Sequence, residues 1–208
     1  MISMRALIAI ALLVVSAGCG VLNPEEQESV SYEVTENVTA LDVHTGSGQI
    51  EIVASDRTGV FVTENLSWRS KRPTTSHPVT NGKLLLRYDC SSGINVSCEV
   101  GYRVEVPRNV SIKADTGSGD IRGTGLGTGS VRLDTGSGGI DLDFSGVPEE
   151  DRVETGSGDV TARLPRGSYA VQTDIGSGRE KVDVVRDPNA PNKFFAKTGS
   201  GDITISAV

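Results

Sequence analysis

The chain has 208 residues and a formal net charge of −7, from 20 Lys and Arg against 27 Asp and Glu. That balance argues against a nucleic-acid partner, because such affinity rests on basic side chains neutralising phosphates, and no basic stripe interleaved with aromatics offsets it. With two histidines and three cysteines, and no phosphate-binding loop, dinucleotide fingerprint or nucleophile elbow, neither a metal, a cofactor nor a catalytic residue is expected.

The chain opens with the basic Arg5, an apolar run from Ala6 to Val15 and the small residues Ser16-Ala17-Gly18. This is an export signal covering residues 1–18, too short to span a bilayer as a helix. With Cys19 it resembles a bacterial lipoprotein signal, although Ser16 replaces the usual aliphatic residue three positions before the cysteine. That resemblance implies lipidation at Cys19 and an extracytoplasmic, membrane-anchored chain, with ordinary secretory cleavage near Gly18 as the alternative. Residues 19–28, acidic and containing Pro24, read as a tether.

From residue 29 onward the dominant feature is a repeated tetrapeptide. It occurs as Thr45-Gly46-Ser47-Gly48, Thr116-Gly117-Ser118-Gly119, Thr135-Gly136-Ser137-Gly138, Thr155-Gly156-Ser157-Gly158, Ile175-Gly176-Ser177-Gly178 and Thr198-Gly199-Ser200-Gly201. From the second copy onward the intervals are 19, 20, 20 and 23 residues, the period of stacked supersecondary units. Residues alternate in polarity on both sides of each corner, as in Val131, Leu133, Thr135 and then Ile140, Leu142, Phe144, which marks strands with one buried face. Thr135 and Ile140 have opposite parity, so a bend at Gly-Ser-Gly must turn both inward, and glycine suits that corner through its tolerance of positive φ. The threonines are inward positions and a possible hydrogen-bonding ladder, whereas His44, Asp115, Asp134, Glu154, Asp174 and Lys197 face outward. The fold class is all-β: a parallel β-solenoid of about 20-residue rungs over residues 29–208, with a partly antiparallel N-terminal section.

Residues 55–107 interrupt the motif. Strand-like runs at Val60–Trp68, Leu84–Cys90 and Cys98–Val106 are either degenerate rungs or an antiparallel cap. Cys90 and Cys98 read as a disulfide in an exported chain. The segment from Arg69 to Lys83 reads as a long basic loop, with Trp68, Arg69, Lys71 and Arg72 as a candidate binding site; the alternative is a solvated loop with Trp68 packed beneath. Glu180 takes the place of Ile or Val after the fifth corner, and residues 179–192 read as a loop bulging from the stack.

The repeated Thr-Gly-Ser-Gly-Asp-Ile of residues 116–121 and 198–203, preceded by Val104-Glu105-Val106-Pro107, resembles the bacterial putative-adhesin families of unknown function. The resemblance covers residues 38–208 and implies a β-solenoid on an envelope protein, with no catalytic or ligand residues to carry over. Asp115-Thr116-Gly117-Ser118 and Asp134-Thr135-Gly136-Ser137 look like aspartic-protease motifs, but the acid varies among the other copies and tracks the solvent face. Asp120, Asp159 and Asp202 suggest turn capping more than calcium, which takes six or more oxygens.

The expected function is therefore a non-enzymatic cell-envelope lipoprotein that acts as an adhesin or surface-binding module, with an envelope glycan or protein as its ligand. A structural or stress-sensing envelope component without external ligand is the alternative, and a polysaccharide-processing β-helix enzyme the less favoured one. The chain stops directly after Ile203, Ile205 and Ala207, so an uncapped terminal rung open to self-association is expected.

Overall fold

Alternation of apolar and polar residues on either side of each glycine corner gives two strands per repeat, one for each of two sheets that enclose the core. A computed structural model describes residues 24–91 and 97–208; the leader, Cys19 and most of the tether lie outside them. Each rung runs along one sheet, turns at Thr-Gly-Ser-Gly and returns along the other. The central rungs are β2 (Ala40–Thr45) with β3 (Ile50–Ser55), β9 (Ser111–Thr116) with β10 (Ile121–Leu126), β11 (Val131–Ser137) with β12 (Ile140–Phe144), and β13 (Glu150–Ser157) with β14 (Val160–Leu164). Both sheets are parallel through these rungs and keep the repeats in register, as in Asp115 beside Asp134 and Ile121 beside Ile140. The expected all-β parallel solenoid is the observed fold.

At both ends the spatial order departs from the chain order. The rung of β7 (Lys83–Asp89) and β8 (Ser97–Pro107) lies outside β2–β3, and β18 (Lys193–Ser200) with β19 (Ile203–Ala207) slips between β13–β14 and the rung of β15 (Ser168–Ser177) and β16 (Glu180–Asp183). The first and last copies of the motif are thus interior rungs. This corrects two expectations. The C-terminal rung is not open, since β19 pairs with both β14 and β16. Residues 179–192 are not simply a bulging loop, because they form β16 of the end rung and the edge strand β17 (Val185–Arg186) that pairs with β15.

The other end carries the antiparallel section. β4 (Val60–Arg69) pairs antiparallel with β8, and β1 (Glu26–Val34) with β4, so the segment 55–107 supplies both a degenerate rung and a cap. β1 begins three residues before residue 29, inside the expected tether. β5 (Thr74–Ser76) and β6 (Val79–Thr80) pair antiparallel with β7, so Arg69–Lys83 is a strand-bearing cap, not one long loop.

Packing at the corners explains the tetrapeptide residue by residue. A Cβ on Gly136 would sit 2.5 Å from the carbonyl oxygen of Gly117, and the same clash recurs for Gly156 on Gly136, Gly199 on Gly156 and Gly176 on Gly199. The second glycine is tighter still, with a Cβ on Gly119 meeting the Gly48 carbonyl, its carbon at 2.7 Å. The glycines are required mainly because stacked backbones leave no room for Cβ, and positive φ is confined at these corners to Gly158, Gly178 and Gly201.

Each inward threonine donates to the neighbouring rung rather than to another threonine. Thr116 Oγ1 reaches Gly48 O at 3.2 Å, and Thr135, Thr155 and Thr198 reach Gly119, Gly138 and Gly158 O at 2.9 Å. Thr45 donates to Val100 O of the degenerate rung at 2.6 Å. These threonines are almost fully buried, so each bond satisfies an otherwise orphaned group, at a net ~1 kcal/mol apiece. The exception, Ile175, stands in the end rung. Asp120, Asp159 and Asp202 accept from the backbone N–H of Gly139, Asp202 and Arg179 in the adjoining rung, so the expected capping operates between rungs.

Gly119→Ala is expected to lower stability by about 2 kcal/mol or more through backbone overlap, whereas Ser118→Ala at the exposed apex stays within about 0.5 kcal/mol. Urea unfolding of the two variants checks this, and equal midpoints would contradict the stacking account.

Candidate functional site

The outward residues of the second sheet form an open trough of about 1020 Å³. It crosses eight strands from Lys83 on β7 to Arg186 on β17, with Asp187 and Pro188 beyond it, and seven strand spacings make it roughly 34 Å long. Small residues at matching positions, Ala40, Ser111 and Ser130 on one side and Ala170 on the other, flank Glu150 and Lys193, which hold the same column on β13 and β18. Alongside runs a second outward column in which register aligns Lys113, Arg132 and Arg152, followed by Phe195.

These side chains are held in different ways. Lys113 Nζ lies 2.9 Å from Asp115, Arg152 pairs with Glu154, and the Arg152 guanidinium stacks 4.1 Å over the Phe195 ring. The next column outward is acidic, with Asp115, Asp134 and Glu154 side by side. Burial first, then the charges of Glu154 and Asp115, raises the carboxyl of Asp134 above its ordinary value. Neither Asp115 nor Asp134 lines the trough; the two look-alike motifs are neighbours in a surface ladder.

Beneath the trough lies a carboxylate that the repeat pattern does not anticipate. Asp151 is 1% exposed and occupies the inward column otherwise filled by Leu41, Ile112, Val131 and Phe194. Its Oδ1 accepts from Val131 N at 2.8 Å while Oδ2 has no protein partner. Burial pushes its carboxyl up to about 7, partly offset by the Val131 hydrogen bond.

The sequence-predicted candidates fall elsewhere. Trp68 is buried in β4 at 8% exposure, Arg69 lies 3.8 Å from Glu25, and Arg72 pairs with Glu28 at 2.6 Å while lying 6.0 Å over Trp68. Lys71 is exposed. Acidic residues of the N-terminal segment thus neutralise this cluster, and Trp68 serves as packing. Cys90 and Cys98 are disulfide-bonded, with Cα atoms 6.1 Å apart; the bridge closes the β7–β8 rung where other rungs have the glycine corner. Among the described residues no three His, Cys, Asp or Glu side chains converge as a metal site. The signal for the trough in the sequence is the column three positions before the threonine, where Lys113, Arg132 and Arg152 recur in consecutive rungs.

Fold and surface together define a two-sheet parallel β-solenoid with an outward trough on one sheet. Residues 108–208, a little under half of the chain, match the family model described as Toastrack DUF4097, within the span over which the sequence resemblance was drawn. Comparison with curated proteins gives no match. Among solved structures, a putative cell adhesion protein from Clostridium sporogenes is 16% identical with a TM-score of 0.65, over 88% of this chain and 100% of that one. A putative adhesin from Bacteroides fragilis is 14% identical, with a TM-score of 0.40 over 89% of this chain and 100% of that one. The first of these supports the fold.

A carboxyl titrating near 7 in the fold, against 3.8 ordinarily, retains a proton that the unfolded chain has released, so its contribution to stability falls as pH rises from about 4 to 7. Asp151→Asn, which keeps the acceptor for Val131 N, is expected to gain on the order of 2–4 kcal/mol over the parent at pH 8 and to approach it near pH 4. Thermal unfolding of both proteins across that range checks this; a difference independent of pH would contradict it.

Proposed function

We propose that the chain is a non-enzymatic binding module displayed outside the cytoplasm, adhesin-like in role, with the trough on the second sheet as its contact surface. The observation that carries this reading is the trough itself, an open surface some seven strand spacings long whose shape is maintained by a hydrogen-bonded ladder. A closed pocket favours small-molecule chemistry, whereas an extended open surface on a solenoid suits a long or macromolecular ligand. The likeness in fold to the putative cell adhesion protein from Clostridium sporogenes agrees with it. The lipoprotein-type signal completes the proposal: lipidation at Cys19 would tether the body close to the membrane, and the envelope would supply the ligand.

A structural or sensing role without external ligand is favoured by one observation, the internal pairing of many surface charges such as Lys113 with Asp115 and Arg163 with Asp141. Self-association would use the β15–β16 end, where Val171, Ile175 and Val182 are only half-buried.

Binding of the purified chain to arrayed envelope glycans, cell-wall fragments and matrix proteins tests the reading. Saturable binding that is weakened by Ser130→Trp, which fills the trough, and unaffected by Arg69→Ala with Arg72→Ala is the expected result; absence of binding to every class would shift the role to a structural one. For the anchor, Cys19→Ala is expected to move the protein from the membrane fraction to the soluble fraction of an expressing bacterium, and an unchanged distribution would rule lipidation out.

A further inference from the structure

The charge of the trough runs against that of the protein. On a chain of formal net charge −7, the trough gathers Lys83, Lys113, Arg132, Arg152, Arg186 and Lys193. Four carboxylates line it as well, one of which, Glu150, offsets Lys193, and Glu180 outside it pairs with Arg186. Asp42 is tied to Arg87 at 2.8 Å, Glu150 lies 3.9 Å from Lys193, Asp187 Oδ1 accepts from Asn189 N, and Asp151 is buried below the floor. Lys113 and Arg152 are braced from behind by Asp115 and Glu154, which orients them without placing those acids in the trough.

Arg132 differs from both. It stands between Lys113 and Arg152 in register, is exposed, and among the described residues forms neither an ion pair nor a side-chain hydrogen bond. A guanidinium is a planar fork suited to carboxylate or phosphate, and although Asp134 stands two residues along the same strand, at the spacing that joins Lys113 to Asp115 and Arg152 to Glu154, no ion pair among the described residues ties Arg132 to it. Ser111 and Ser130 add hydroxyls to the floor, and the Arg152–Phe195 stack adds a flat face beside them.

We propose that the trough binds an extended anionic polysaccharide lying across the strands, along the stack axis, with Arg132 as its central anchor. Cations repeated on neighbouring strands about 4.8 Å apart suit a ligand with repeated charge more than a single small anion. Serine hydroxyls and a flat Arg–Phe face suit sugar rings. A nucleic acid is disfavoured by the acidic body and because, of the aromatic residues that line the trough, Tyr169 and Phe194 are buried and Phe195 alone is accessible for stacking. The proposal rests on the trough being a binding surface and names what it binds.

Titration of the purified chain with polygalacturonate, teichoic acid and neutral dextran, at low and at physiological salt, tests it. The first two distinguish carboxylate from phosphodiester as the anion recognised. Binding to at least one of them and not to dextran is expected, weakening as salt rises. Arg132→Glu should lose at least about tenfold in affinity and Arg132→Lys only a fewfold. Because Arg132 has no internal partner, unchanged circular dichroism in both variants is expected and separates binding from folding. Equal binding of dextran, equal binding of a single-stranded oligonucleotide, failure of both polyanions or indifference to Arg132→Glu would each overturn the proposal. If a neutral or protein ligand binds instead and is lost in Ser130→Trp, the anionic class falls while the binding module stands; if no ligand binds at all, both fall.

Discussion

The close approach of backbone to backbone at the glycine corners is the constraint on which the rest of the molecule depends. Wherever one corner stacks on the next, the position of a missing Cβ is occupied by a neighbouring carbonyl. That proximity brings the second glycine's carbonyl within reach of the inward threonine, and it lets an aspartate cap the backbone N–H of the adjoining rung. A side chain at the corner would separate the rungs and break all three contacts together. The tetrapeptide is therefore one packing unit repeated, and its cooperativity explains why the copies are so alike in a chain whose outward residues vary freely.

A stack of this kind has two ends, and each is treated differently. At one end the degenerate β7–β8 rung, closed by Cys90–Cys98, is covered by the antiparallel strands β1, β4, β5 and β6. At the other, the end rung carries the changes that an end needs. Ile175 gives up the hydroxyl of the threonine column, and Glu180 takes an apolar position, where it bonds Thr173 at 2.8 Å and pairs with Arg186. Charged residues on β16 discourage edge-to-edge pairing, and terminal repeats are commonly polar for this reason.

Much of the fold was legible from periodicity. The parity change between Thr135 and Ile140 required a corner, and both residues are buried. The replacement of Thr by Ile at 175 marked an inward position. What periodicity could not show was the order of rungs. Strands that pair through backbone groups carry no label of which neighbour they adopt, so the interior placement of β18–β19 and β2–β3 was hidden, and an apolar final strand read as an exposed one. The surroundings of the basic cluster were hidden for a related reason. Arg69 and Arg72 stood out as a cluster because they are adjacent in sequence, yet Glu25 and Glu28 meet them through β1–β4 pairing. Lys113, Arg132 and Arg152 are adjacent only across strands, and their alignment appears once the repeats are laid side by side.

The division of labour between the two faces of a strand bears on function. Inward residues and glycines are held by packing, so they have little freedom to vary. Outward residues at alternate positions touch mainly their cross-strand neighbours, and a change there alters the surface without disturbing the ladder. The basic column beside the acidic one is a product of that freedom: three cations and three acids occupy alternate residues of the same three strands, between threonine corners that are superimposable in pairing. Asp151 shows the limit of it. Placed in the inward column, a carboxylate cannot be solvated, and burial drives it toward the neutral form. The same residue type three columns away, at Asp115, is exposed enough to serve as a brace for Lys113. Position in the pleat, more than residue identity, decides whether a charge in this protein acts on the surface or weakens the core.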